Sequence, residues 1–216
     1  LTSFEPYFDA CDRLLDLLKK LRAAGIELKD IDFGGGVGVC YRDETVEPIE
    51  NLVLGLKSRL TQSGFDHLRI VMEPGRSIVA AAGLLLCSVQ YVKTTPVKHF
   101  LITDAGMNDL IRPALYAAWM PVLPIRQSDC PEVLFDVVGP VCESSDWLAR
   151  YRVLPAQAGE LLAVTMAGAY GMSMASRYNS RRLPAEVLVS GKTSQLIRRR
   201  DSLEDLWTNE IVPADI

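Results

Sequence analysis

Apolar residues at Phe4, Phe8, Cys11, Leu14, Leu15, Leu18 and Leu21 recur mostly at spacings of three and four, which draws one stripe along a helix over residues 4–24. Ser3 stands where it can cap the start of that helix, and Gly25 where it can end it. Residues 31–33 predict a short strand running into Gly34, Gly35 and Gly36. A second amphipathic helix is predicted over 46–63, stopping at Gly64, and residues 68–72 predict the next strand. Glu73-Pro74-Gly75-Arg76 then turns into an alanine-rich segment. Strand, helix and strand in this order imply parallel strands joined by a crossover helix.

The period changes beyond about residue 84. Short β-branched and aromatic runs appear over 85–92, 100–103, 133–138, 161–166 and 185–189, separated by Pro, Gly and Asp, which are signals of antiparallel strands. The expected organisation is therefore an α/β segment over 1–83 followed by a β-rich domain over 84–216. The chain shows no internal repeat and no low-complexity tract.

Composition narrows the class of partner. Hydrophobic residues make up 49%, charged residues 23%, and the net charge is −4, values suited to a folded globule. The one basic run, Arg198-Arg199-Arg200, is followed by Asp201, Glu204 and Asp205, which reads as a self-neutralising solvated face and not as a nucleic-acid surface. The longest apolar stretch, 78–86, falls short of the ~18–20 residues a membrane span needs. Five cysteines, odd in number and without CxxC spacing, fit reduced thiols in the cytoplasm better than disulfides or zinc.

The candidate chemistry lies in five places. Asp104-Ala105-Gly106 is a turn followed by Arg112 and Tyr116, four residues apart, and an arginine forks onto a carboxylate with two parallel hydrogen bonds. Gly139-Pro140-Val141-Cys142-Glu143-Ser144-Ser145-Asp146 sets a cysteine beside a carboxylate in a polar turn, where a thiol can shuttle a proton. The bland alternatives are a surface arginine, a packed aromatic and an inert buried thiol; that last reading is kept for Cys11, Cys40, Cys87 and Cys130. Gly34, Gly35 and Gly36 let backbone amides approach one anion, but alone they are also an ordinary flexible turn, and Val39 removes the third glycine of a dinucleotide fingerprint. Glu73-Pro74-Gly75-Arg76 supplies a second strand-end turn that could converge on the same phosphate. Tyr170, between Ala169 and Gly171, sits in a sequence too sparse in bulk for ordinary core packing.

In this order, Asp32 to Gly38, Glu73 to Arg76 with Ala82-Gly83-Leu84, Asp104 to Tyr116, Gly139 to Asp146, and Gly168 to Met172 with Tyr178-Asn179 resemble the meso-diaminopimelate decarboxylases, pyridoxal 5′-phosphate enzymes that make L-lysine. The resemblance runs along essentially the whole chain. It implies the C-terminal portion of a pyridoxal-phosphate-binding (β/α)8 barrel of the alanine-racemase type, followed by a β-barrel or sandwich-like domain. An eight-stranded barrel alone takes roughly 250 residues, so a C-terminal half of an enzyme is expected. The missing N-terminal half would carry the Schiff-base lysine and a histidine that packs on the cofactor, just upstream of a segment like Leu1-Thr2-Ser3-Phe4. No lysine here has the Schiff-base context, and neither His67 nor His99 matches a functional position, so the fragment alone is expected to be inactive.

The same resemblance assigns roles. Gly34, Gly35, Gly36, Glu73, Pro74, Gly75, Arg76 and Tyr170 would hold the cofactor, with both glycine-bearing turns at the carboxyl face of the barrel. Arg76, Arg112, Tyr116 and Tyr170 would contact the substrate, the first three through its carboxylates. Glu143 would pair with the ammonium on the carbon that does not react, and Cys142 would reprotonate the carbanion left when carbon dioxide departs. No metal is implied. A homodimer is implied, with composite sites in which this cysteine turn reaches the neighbouring subunit. The alternatives are a sister decarboxylase acting on ornithine, arginine or a carboxylated polyamine, and a non-catalytic homologue that binds a partner. The Arg112-to-Tyr116 run argues against the first, because those substrates have a cationic or neutral far end.

Overall fold

Helix α1, Glu5–Ala23, opens the computed structural model, which describes residues 3–214. Leu1 and Thr2 of the segment compared above lie outside the described residues. Phe4 is the residue before the first turn, one place later than the sequence suggests, and the Ser3 hydroxyl accepts the Glu5 amide at 3.3 Å. At the other end Gly25 takes φ 76°, and the Ile26 amide reaches back to the Leu21 carbonyl at 3.0 Å. That left-handed residue satisfies carbonyls the helix leaves open. Tyr7, Cys11, Leu15 and Leu18 form its buried stripe.

The chain divides into two units, Leu1–Ala82 and Gly83–Ile216. In the first, strand β1 (Asp30–Gly35) pairs in parallel with β2 (Arg69–Glu73), and helix α2 (Ile49–Gln62) is the crossover between them. Leu52, Leu56 and Leu60 of α2 pack with Phe4, Cys11, Ile31 and Phe65 in one apolar core. Burial of that stripe, more than helix propensity, is what makes a 14-residue helix stable. A five-residue helix α3, Gly75–Val79, and a short 3-10 turn over Ala80–Ala82 end the unit.

The second unit is a six-stranded mixed sheet in the order β5-β8-β3-β4-β6-β7. Its strands are β3 (Leu85–Thr94), β4 (His99–Thr103), β5 (Val122–Pro124), β6 (Val133–Val138), β7 (Trp147–Leu154) and β8 (Leu161–Val164). A hairpin of β9 (Glu186–Ser190) and β10 (Thr193–Arg198) follows. Not every pairing is antiparallel: β4 and β6 run parallel, with Leu101 opposite Val137. Arg152 on the edge strand β7 donates to the Met120 carbonyl at 3.2 Å, just before the other edge strand β5, so the sheet curls towards closure. Closing a sheet removes exposed edges. Val89, Leu101, Val137, Leu148, Leu162 and Val164 are fully buried within it. Among the described residues no helix is long and apolar enough to cross a membrane.

Candidate active site

The two glycine-bearing turns of the first unit stand side by side because their strands are neighbours. Gly35 lies opposite Glu73 in the β1–β2 register, and a bulge between Asp32 and Gly35 ends the regular pairing. A Cβ at Gly35 would lie 2.1 Å from the Glu73 carbonyl oxygen, so no larger residue fits there. Gly34 and Gly36 take φ 71° and 93°, a region closed to most side chains. The Gly34 amide is engaged inside the turn by the Asp32 carboxylate at 2.8 Å. In the second turn the Ser77 hydroxyl donates to the Pro74 carbonyl at 2.9 Å, and Arg76 is half-buried at the start of α3. Added Cβ atoms at Gly34 and Gly75 would meet nothing within 4 Å, so space lies open beside both turns.

Tyr7 is buried behind the first turn, and its hydroxyl donates to the Gly35 carbonyl at 2.7 Å. Burial raises the Tyr7 pKa, and the nearby Arg76 charge partly opposes the rise. The helical stripe hides this role in the sequence, since a tyrosine on an apolar face reads as packing. Open space, close-approach glycines and a neighbouring guanidinium fit a phosphate group.

In the second unit, Arg112 opens helix α4, Arg112–Tyr116, with Pro113 presetting the first turn and Ala117 ending it at φ 50°. The Arg112 guanidinium is buried against two rings, 5.9 Å from the Tyr116 centroid and 5.3 Å from that of Tyr170, both within cation–π range. Tyr116 and Tyr170 are exposed, and Tyr170 is held at φ 60°. The glycines around Tyr170 pack tightly: a Cβ at Gly83 would meet the Gly168 Cα at 2.4 Å, and one at Gly171 the Ala167 carbonyl oxygen at 2.3 Å. The structure thus brings Arg112, Tyr116 and Tyr170 into one cluster.

Cys142 and Glu143 sit exposed on the turn between β6 and β7. The turn closes on itself, the Gly139 amide donating to the Asp146 carbonyl and the Asp146 amide to the Glu143 carbonyl, both at 3.0 Å. The Glu143 carboxylate accepts the Tyr178 hydroxyl at 3.0 Å. That hydrogen bond, with the Glu143 charge behind it, raises the Tyr178 pKa. Met107, Asn108, Ile111, Ser145 and Ser176 line a depression together with this pair. Asp109 accepts the Gly106 amide at 2.9 Å, and burial, only partly offset by that bond and by Arg181, raises its pKa. Tyr178, Asp109 and Asp146 had no assigned role in the sequence; their lone polar side chains become informative only through partners far along the chain.

The other cysteines divide. Cys11 and Cys87 are buried, as an inert thiol would be, but Cys40 is exposed and Cys130 half-buried. Cys40 lies just past β1, where chain leaving a strand runs over the surface. Among the described residues no group of three or more His, Cys, Asp or Glu side chains could hold a metal ion.

Residues 11–168 match the pyridoxal-dependent decarboxylases in their C-terminal sheet domain, and the chain belongs to that family. Within it, the chain is 48% identical over 211 residues to the diaminopimelate decarboxylase of Haemophilus influenzae, covering 97% of this chain and 50% of the relative. To that of Pseudomonas aeruginosa it is 49% identical over 210 residues, with the same coverage. Among solved structures, diaminopimelate decarboxylase from M. jannaschii superposes with a TM-score of 0.95 at 36% identity, covering 99% of this chain and 50% of that one. The Helicobacter pylori enzyme complexed with L-lysine gives 0.89 at 42%, covering 96% and 51%. A lysine/ornithine decarboxylase from Vibrio vulnificus, complexed with cadaverine, gives 0.73 at 25%, covering 83% and 48%. The chain spans about half the length of the relatives it matches.

Proposed function

We propose that the protein to which this chain belongs decarboxylates meso-2,6-diaminopimelate to L-lysine and carbon dioxide with pyridoxal 5′-phosphate as cofactor. The observation that carries the reading is the buried Arg112 between Tyr116 and Tyr170. A buried guanidinium flanked by rings suits a carboxylate at the far end of a substrate, where ornithine or lysine has none. The 48–49% identity to two diaminopimelate decarboxylases, against 25% to a lysine/ornithine decarboxylase, supports the same choice. L-Lysine, held by the Helicobacter pylori relative, is the product of this reaction.

The first unit would be part of a (β/α)8 barrel, and its two turns would hold the cofactor phosphate through the Gly35, Gly36 and Gly75 amides and Arg76. The Tyr170 hydroxyl would add a further donor. When bound, the cofactor supplies the electron sink for the charge left as carbon dioxide departs. The chain's own residues do the rest: Arg112 and Tyr116 hold the far carboxylate, Glu143 holds the far ammonium, Arg76 aids in binding, and the Cys142 Sγ delivers a proton to the reacting carbon. A homodimer in the cytoplasm, with the Cys142 turn completing a neighbour's site, is the assembly this reading expects.

The test is a substrate comparison with the full-length protein. It should turn over meso-diaminopimelate and discriminate against ornithine and lysine by roughly 10⁴-fold in kcat/KM, since a site built around a polar partner rejects analogues that leave it unpaired. Arg112→Ala should erase much of that preference. Equal kcat/KM for diaminopimelate and ornithine would promote the polyamine-type reading.

A further inference from the structure

The Asp146 side chain is buried, although it stands at the end of an exposed turn. One carboxylate oxygen accepts the Met107 amide and the other the Val141 amide, each at 2.6 Å. Met107 lies in the turn that leads to Arg112, and Val141 immediately precedes Cys142. A single charge therefore ties together two segments 39 residues apart, the separation of Met107 from Asp146. The backbone around it leaves no slack: a Cβ at Gly139 would lie 2.5 Å from both Asp146 oxygens, and one at Gly106 would lie 2.8 Å from Oδ1. The Asp146 main chain also closes the turn at both ends, through the Gly139 amide and the Glu143 carbonyl. Hydrogen bonds from amides to an ionised acceptor are roughly twice as strong as neutral ones, and two on separate oxygens fix both position and orientation.

We infer that Asp146 is a positioning residue, which presets the Cys142–Glu143 turn against the Arg112 segment without touching substrate. The inference deepens the proposed decarboxylase reading and rests on it for its catalytic consequence. Asparagine keeps the shape of the side chain but offers one acceptor oxygen, and its amide hydrogens would oppose one of the two backbone donors.

The experiment compares wild-type full-length holoenzyme with Asp146→Asn, scaling rates to the fraction that carries cofactor by absorbance. Turnover should fall about 10²-fold, as for a reacting group displaced by an ångström. Hydrogen exchange at the Met107 and Val141 amides should quicken by about tenfold or more, the equivalent of one lost charged hydrogen bond. The iodoacetamide alkylation rate of Cys142 in the folded, substrate-free enzyme should change with them. A loss of activity explained wholly by lost cofactor-loaded enzyme, with alkylation and exchange at wild-type rates, overturns the inference. If Asp146→Asn does not fold, wild-type exchange decides: slow Met107 and Val141 amides support the tie, and fast ones overturn it. Should the wild type fail to decarboxylate diaminopimelate, the function reading falls, while the exchange and alkylation results still decide the role of Asp146.

Discussion

The Tyr7 hydroxyl, on the first helix, donates to the carbonyl of Gly35 at the end of the first strand, 2.7 Å away and 28 residues along the chain. The bond fixes which way the Gly35 peptide faces. Tyr7→Phe keeps the ring and removes only that bond, a net loss of about 1 kcal/mol. Cofactor affinity of the full-length enzyme, measured by reconstitution after resolving the cofactor, should weaken about fivefold with kcat of the loaded enzyme unchanged. Unchanged affinity would show that the bond does not shape the turn.

Gly35→Ala should be far more damaging than Gly34→Ala. The first places a Cβ 2.1 Å from a backbone carbonyl oxygen in the neighbouring strand, whereas the second meets only the cost of φ 71°. Overpacking costs typically 1–3 kcal/mol, and here it also pushes β1 from β2 where both turns begin. Urea denaturation of the two variants, with the cofactor absorption of the full-length enzyme beside it, should rank them in that order. Equal stability would mean that the strands part without cost.

Cys142→Ala in the full-length enzyme should lower kcat by about 10²–10⁴-fold, the usual cost of a lost proton donor, and move KM only a few-fold. Exposure of the thiol on the turn favours this outcome over a packing role. A raised KM with normal kcat would instead assign Cys142 to substrate binding.

Alkaline pH should loosen the second unit through Cys87. Burial, reinforced by the Asp104 charge and only partly offset by Thr103, pushes this thiol from 9.0 up to about 12. The unfolded thiol gives up its proton first, so the stability tied to the protonated form is complete below pH 9 and drains away as pH climbs to 12. Within that window each pH unit removes about 1.4 kcal/mol at most. Urea midpoints measured at pH 8.5 and 10.5 should converge in Cys87→Ala relative to wild type. An identical pH slope in both proteins would contradict the assignment.

Periodicity alone specified α1, α2 and the two strands between and after them, because each buries one stripe against a single local core, and the helix ends are written in Gly25 and Gly64. It was less informative in the second unit. Strand β7 leaves no strand signal because Arg150 and Arg152 interrupt its apolar pattern, yet both are accommodated by stacking on Trp147 and Trp119 at 4.3 Å. Strand β10 leaves none because every residue in it is exposed, and β5 none because it has only three residues. The parallel pairing of β4 with β6 leaves no mark in either strand, since orientation is settled by connections and neighbours and not by composition.

The site divides along the same line. Glycine at 34–36, Arg112 and Cys142 are legible as residue types suited to an anion, a carboxylate and a proton, because that chemistry belongs to the side chain itself or, for glycine, to the backbone amides that a missing side chain uncovers. The sequence leaves silent the groups whose meaning lies in a distant partner: Tyr7 on Gly35, Tyr178 on Glu143, and Asp146 on Met107 and Val141. A hydrogen bond needs donor and acceptor within about 3 Å along a definite direction. Local pattern determines which groups a chain can offer, but only the packing of one element on another brings two of them to that distance.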